Sequence, residues 1–102
     1  MFIPKHQNDQ TERLIQAILS LETSEEVYSF LEDILTIQEL KSIAQRLDVA
    51  VLLRAGETYQ EIVRKTGAST ATIGRVNRAL QYGADGYSAV LERIASQETQ
   101  QI

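Results

Sequence analysis

Apolar residues recur along this chain at intervals of three and four, the spacing of one helical face, and the strict alternation of a strand is missing throughout. The pattern predicts six helices. The first runs from about Asp9 to Leu21, with Leu14, Ile15, Ile18 and Leu19 along one side. Thr23 and Glu26 have the spacing of a capping box, in which a hydroxyl and a carboxylate satisfy each other's orphan backbone donors. They open a second helix to about Leu35, whose apolar face is Val27, Phe30, Leu31, Ile34 and Leu35. Thr36 and Glu39 open a third that continues to Ala55 and stops at Gly56. Its apolar residues, from Leu40 and Ile43 to Leu52 and Leu53, spread around much of the circumference, which marks a central helix.

The stretch TYQEIVRKTGASTATIGRVNRALQY, residues 58–82, carries two short helical patterns about one glycine. Thr58 and Glu61 form a third capping box, so a fourth helix runs from about Tyr59 to Thr66. Gly67 suits the left-handed conformation that ends a helix tightly, and Ser69 or Thr70 can cap the fifth helix. Ile62 and Val63 before the turn, with Ala68, Ile73 and Val76 after it, have the spacing of two helices packed across a corner. This is a helix-turn-helix pattern. Gly83 closes the fifth helix, and Asp85 can cap a sixth over residues 86–97, with Tyr87, Val90, Leu91 and Ile94 as its buried edge. Residues 1–8 and 98–102 read as loose tails.

Composition narrows what such a domain can do. With 102 residues and 43% hydrophobic content the chain is a single domain with a small core. Six helices with broad apolar faces leave more surface than one small globule covers, so a homodimer is the natural remedy and a well-filled monomeric bundle the alternative. Residues 9–55 would then supply the dimerisation helices. The chain has no cysteine, which removes disulfides and thiolate metal sites. There is no apolar run of membrane-spanning length, and MFIPKHQNDQ lacks a signal-peptide core, so the expected location is cytoplasmic.

The formal charge of −4 is unevenly distributed. Residues 1–35 carry −5, residues 36–82 carry +3 and the remainder −2. The positive segment coincides with the helix-turn-helix and the helix before it, which suits a face for double-stranded DNA, although a solvated face with a few arginines gives the same balance. In this motif the second helix enters the major groove N-terminus first while the first crosses the backbone. Ser69, Thr70, Ala71 and Thr72 then offer hydroxyls and methyl groups to bases or phosphates. Helix phase turns Ala71, Gly74, Arg75 and Arg78 outward, and Tyr59, Gln60, Arg64 and Lys65 are placed to reach phosphates. Gly74, costly inside a helix, is explained either by close approach to DNA or by tight helix packing. An enzyme is not expected: the one histidine, His6, lies in the tail, and no carboxylate pair has a recognisable catalytic pattern. No cofactor or metal is implied.

From Leu35-Thr36 through LLRAGETYQEI to TGASTATIGRVNRAL, with GASTATIGR as its most specific block, the sequence resembles the Trp-repressor superfamily, and more closely its short YerC/YecD branch. The resemblance implies an intertwined, six-helix, all-α homodimer that binds operators; the Trp repressor is itself a standard example of helix-turn-helix docking and of water-mediated base contacts. It also implies that Ser69, Thr70, Ala71 and Thr72 occupy the base-reading edge, and that Leu35, Thr36, Arg46 and Arg75 fall where the repressor lines its tryptophan pocket. Two further pocket positions depart: Val76 stands for a glycine beside the indole slot and Ala79 for a serine that binds the corepressor. A filled slot and a lost hydrogen bond argue against tryptophan. Arg75 has two readings, outward to phosphate by helix phase or inward to the pocket by resemblance, and Arg46 can instead pair with Asp48 or Glu57. The expected function is a dimeric, sequence-specific DNA-binding transcriptional regulator, in the manner of a repressor. Its rivals are a regulator controlled by another small anionic effector and a helical module that binds protein.

Overall fold

A computed structural model describes the backbone of residues 2–100, and among these residues every regular element is an α-helix. In chain order they are α1 Asp9–Leu19, α2 Ser24–Ile34, α3 Ile37–Arg54, α4 Tyr59–Thr66, α5 Thr70–Tyr82 and α6 Gly86–Gln100. None is long and apolar enough to cross a membrane. The chain divides into two compact units, Met1–Leu40 and Lys41–Ile102.

In the first unit the helix starts are fixed by side chains. Asn8 accepts from the Thr11 backbone N–H while the Thr11 hydroxyl accepts from the Asn8 N–H, both at 2.9 Å, so the tail is tied down at its inner end. This reciprocal cap was not among the three expected. The Thr36 and Glu39 box forms as anticipated, with the Thr36 N–H donating to the Glu39 carboxylate at 2.8 Å and the Glu39 N–H to the Thr36 hydroxyl at 3.1 Å. At α2 only half of the expected box forms. Thr23 accepts from the Glu26 N–H, but the Glu26 carboxylate reaches one residue further back, to the Glu22 N–H. α1 ends earlier than the periodicity suggests because Ser20 folds back, donating from both its N–H and its hydroxyl to the Ala17 carbonyl. No residue of α1 or α2 is buried; Leu19 is 78% exposed and Ile15 50%.

In the second unit lie all seven buried apolar residues among those described: Val49, Ala50, Ile62, Ala68, Ile73, Val76 and Leu91. They come from α3, α4, the turn, α5 and α6; α3, expected to be central, contributes Val49 and Ala50, while Ile37, Ile43 and Val51 on it stay exposed. Each large side chain removed from water contributes about 1.5–3 kcal/mol. Leu47, Leu52, Leu53, Leu80 and Tyr87 pack around the cluster half-buried. Gly56, in the left-handed region at φ 85°, terminates α3. α5 ends at Gly83, whose N–H donates to the Ala79 carbonyl at 3.0 Å. Asp85 precedes α6 and its carbonyl accepts the helix's first bond, from the Ala89 N–H at 3.1 Å, but it lies in the left-handed region at φ 66°, a conformation that Asp tolerates, and not in the extended one usual for an N-cap. α6 runs to Gln100, so residues 98–100 belong to the helix, whereas Met1 and residues 101–102 of the expected tails lie outside the described residues.

Two outcomes follow from this geometry. A Cβ at position 83 would stand 2.4 Å from the Ala79 carbonyl oxygen and 3.1 Å from its carbon, both backbone atoms, so the chain itself must move. Gly83→Ala is expected to destabilise the protein by about 1–3 kcal/mol in urea denaturation. The second outcome concerns acid. The Glu39 carboxyl is held below its ordinary value of 4.5, first by the Thr36 backbone N–H and then by its hydroxyl. A carboxyl lowered in the folded state stabilises above its unfolded value and loses that contribution as pH falls through the lower folded value. Helicity at α3 should therefore weaken below about pH 4.5, and Glu39→Ala should remove that part of the pH dependence measured by circular dichroism.

Candidate nucleic-acid interface

α4 and α5 meet at Gly67, the C-cap of α4, at φ 74° and ψ 5°. A Cβ there meets nothing within 4 Å, so the requirement for glycine is one of backbone conformation, not of space. The turn is closed by Thr66, whose hydroxyl donates to the Ile62 carbonyl at 2.7 Å and accepts from the Ala68 N–H at 3.1 Å. From α3, Gln45 Nε2 donates to the Thr66 carbonyl at 3.2 Å and ties the turn to the long helix. Sequence reasoning missed both residues. Thr66 had a local signal, a hydroxyl four residues after Ile62 at a helix end. Gln45, 21 residues away, had none.

The leading edge of α5 is now explicit. Ser69 is its N-cap: the hydroxyl accepts from the Thr72 N–H at 3.1 Å and donates to the Thr72 hydroxyl at 3.0 Å. Ser69 and Thr72 therefore satisfy each other, with Thr72 half-buried, while Thr70 and Ala71 stand exposed ahead of them. Arg75 and Arg78 are exposed on the same helix, and among the described residues neither makes an ion pair. Gly74 lies between them in sequence, and a Cβ built on it meets nothing within 4 Å. Tight helix packing within the chain thus does not explain that glycine.

The cations of α4 behave differently from those of α5. Arg64 Nη2 lies 2.7 Å from the Glu61 carboxylate, and Lys65 Nζ lies 2.7 Å from Glu57. Hydrogen bonding and charge from Arg64 lower the Glu61 pKa, and Glu61 in turn raises that of Arg64. This corrects the capping box expected at α4. Thr58 does accept from the Glu61 N–H at 3.2 Å, but the Glu61 side chain turns to Arg64, because a guanidinium offers a stronger, charge-assisted bond than a neutral N–H. Glu57, considered as a partner for Arg46, pairs with Lys65 instead. Tyr59 and Gln60 are exposed at the start of α4.

The residues expected to hold an effector are brought together only in part. Leu35 is the C-cap of α2 and Thr36 caps α3, both in the first unit. In the second unit, Arg46 lines an open, largely apolar hollow of about 560 Å³ with Ile43, Leu47, Ala79, Tyr87 and Val90. Arg75 does not line it, and Val76 is 2% exposed and belongs to the core. Tyr87 is the hollow's aromatic wall, which sequence reasoning assigned only to a buried edge.

Six helices, with the fourth and fifth packed about a left-handed glycine on the wall of a third, define an all-α helix-turn-helix protein. The profile of the Trp repressor protein family matches residues 9–95, and the chain belongs to that family, whose fold is a regulatory DNA-binding one. The chain is 49% identical over 100 residues to the uncharacterized protein YerC of Bacillus subtilis (strain 168), covering 98% of this chain and 96% of that protein. This agrees with the YerC branch of the family. Among solved structures, a TrpR like protein from Eubacterium eligens ATCC 27750 superposes with a TM-score of 0.85 at 54% identity, over 87% of this chain and 92% of that one. A Staphylococcus aureus structure of the same class gives 0.84 at 45% identity, over 87% and 89%.

The vacant surroundings of Gly74 give a stability test. Gly74→Ala is expected to raise unfolding stability by about 1 kcal/mol, because alanine restricts the unfolded chain without meeting an obstacle in the folded one. Loss of stability in urea denaturation would show that position 74 is packed after all.

Proposed function

We propose that this protein is a homodimeric, sequence-specific DNA-binding transcriptional regulator acting as a repressor. The observation that carries the reading is the leading edge of α5. Thr70 and Ala71 stand free on a helix start that Ser69 fixes, next to Arg75 and Arg78 with their charges uncompensated. Small groups at the front allow approach to base edges, and the arginines behind them suit phosphate. Membership of a regulatory DNA-binding family supports the same reading.

Dimerisation is supported by what one chain leaves uncovered. α1 and α2 are amphipathic yet bury no residue, and Ile37 at the start of α3 is 72% exposed. A second copy closing on these faces remedies the deficit and pairs two helix-turn-helices about a twofold axis. Tyr59, Gln60, Arg64 and Lys65 on α4 then serve the phosphate backbone, and Ser69 to Thr72 the bases.

The hollow beside Arg46 favours a second reading of the control of this regulator. Its walls are apolar with one cation at the rim, which suits a small anion with an apolar body. Tryptophan is disfavoured, since Ala79 on that wall offers no side-chain hydrogen bond and Val76 occupies core volume.

Arg64→Ala combined with Arg78→Ala is expected to abolish binding to duplexes selected from a random library while leaving the dimer intact by analytical ultracentrifugation. Unchanged affinity would favour a protein-binding module. With about three phosphate contacts per protomer, the log-log salt dependence should have a slope near −5, and a slope near zero would sink the DNA reading. Tryptophan should leave the melting temperature unchanged, and a clear rise would overturn the argument from Val76 and Ala79.

A further inference from the structure

The two ion pairs of α4 tie up the cations that the proposed function assigns to DNA phosphate. Lys65 reaches back across the whole of α4 to Glu57, the residue before the helix cap, at 2.7 Å. Glu57 is held there by its backbone, whose N–H donates to the Leu52 carbonyl at 3.1 Å, and its side chain is only 29% exposed. Arg64 is gripped by Glu61 through both Nε and Nη2, at 3.3 and 2.7 Å. By contrast Arg75 and Arg78 on α5 have no carboxylate partner among the described residues. The helix that crosses the backbone is therefore neutralised from within, and the helix that faces the groove is not.

We propose that Glu57 and Glu61 are intramolecular competitors for DNA phosphate and set the strength with which this protein holds any duplex. On binding, Lys65 exchanges the Glu57 carboxylate for a phosphate and Arg64 exchanges Glu61. Each exchange replaces one charge-assisted contact by another, so the cation gains much less than a free one would. The released carboxylates are left beside the backbone, which adds repulsion. Non-specific affinity, which rests on phosphate contacts alone, is kept low by this device. The inference rests on the DNA-binding reading, and its test separates the two.

Binding to a random-sequence duplex at low salt is measured for the full chain and for Glu57→Gln and Glu61→Gln. These substitutions keep side-chain size, and the Glu61 N–H bond to Thr58 is a backbone one that survives. Each is expected to tighten binding about two- to fivefold, in line with the strength of exposed ion pairs. The decisive arm repeats Glu57→Gln in a Lys65→Ala background and Glu61→Gln in an Arg64→Ala background, where the gain should largely vanish. A gain of the same size with and without the cation would mean simple repulsion from the carboxylates and would overturn the exchange, as would no gain at all. Absence of binding by wild type and every variant alike would instead remove the DNA-binding reading and the competition with it. Circular dichroism establishes that each variant is folded.

Discussion

The second unit depends on a single backbone conformation. With Gly67 in the left-handed region, α4 can stop and α5 can start three residues later, which brings Ile62 and Ile73 to the same apolar centre against Val49 and Ala50 of α3. An L-residue at that φ and ψ carries a penalty of about 1–2 kcal/mol, comparable to the burial gain of one of the side chains it positions. The polar groups follow the same constraint. Thr66 bonds on both sides of the turn and Gln45 reaches its carbonyl from α3, so the direction of α5 is set by the long helix and not by α4 alone.

That coupling explains how a core of seven residues positions the exposed leading edge of α5. Val76 and Ile73 face inward, and a helix repeat of 3.6 residues then leaves Ala71, Arg75 and Arg78 exposed without any further device. Ser69 fixes the first turn through Thr72, removing the fraying that would blur a helix start. The groups that hold α5 in place and the groups it presents are thus different side chains on one rigid element, which is the arrangement that precise recognition requires.

The helices α2 to α5 were legible in the sequence because their starts carry capping hydroxyls, Thr23, Thr36, Thr58 and Ser69. Asp9 and Tyr59 fall at the expected first residues, Ser69 is the cap of the two that the sequence offered for α5, and Gly67 and Gly83 lie at the expected stops. What was not legible is the choice of partner once several are in reach. Glu61 has the spacing of a cap and also of an i,i+3 pair with Arg64, and only the three-dimensional placement shows that the charge wins. Glu57 with Lys65, eight residues apart, has no periodic signature, and neither has Gln45 with Thr66. For the same reason the hollow lined by Arg46 and Tyr87 is invisible in one dimension: its walls come from three helices and the loop before the last.

The acidity of the chain as a whole then becomes easier to understand. A net charge of −4 would repel a duplex if it were spread evenly, yet the first 35 residues hold −5 of it. Within the basic middle, two of the four acids are committed to Arg64 and Lys65, so in the helix-turn-helix itself the cations without an ion pair are Arg75 and Arg78 on α5. Long-range attraction is screened within about 10 Å at ordinary ionic strength, and what a phosphate feels on arrival is the local pattern and not the total. On the proposed DNA-binding reading, Arg75 and Arg78 behind a small-residue edge would favour contact at one orientation, with α5 leading. A uniformly basic protein of the same size would gain affinity in every orientation and lose the ability to choose among them.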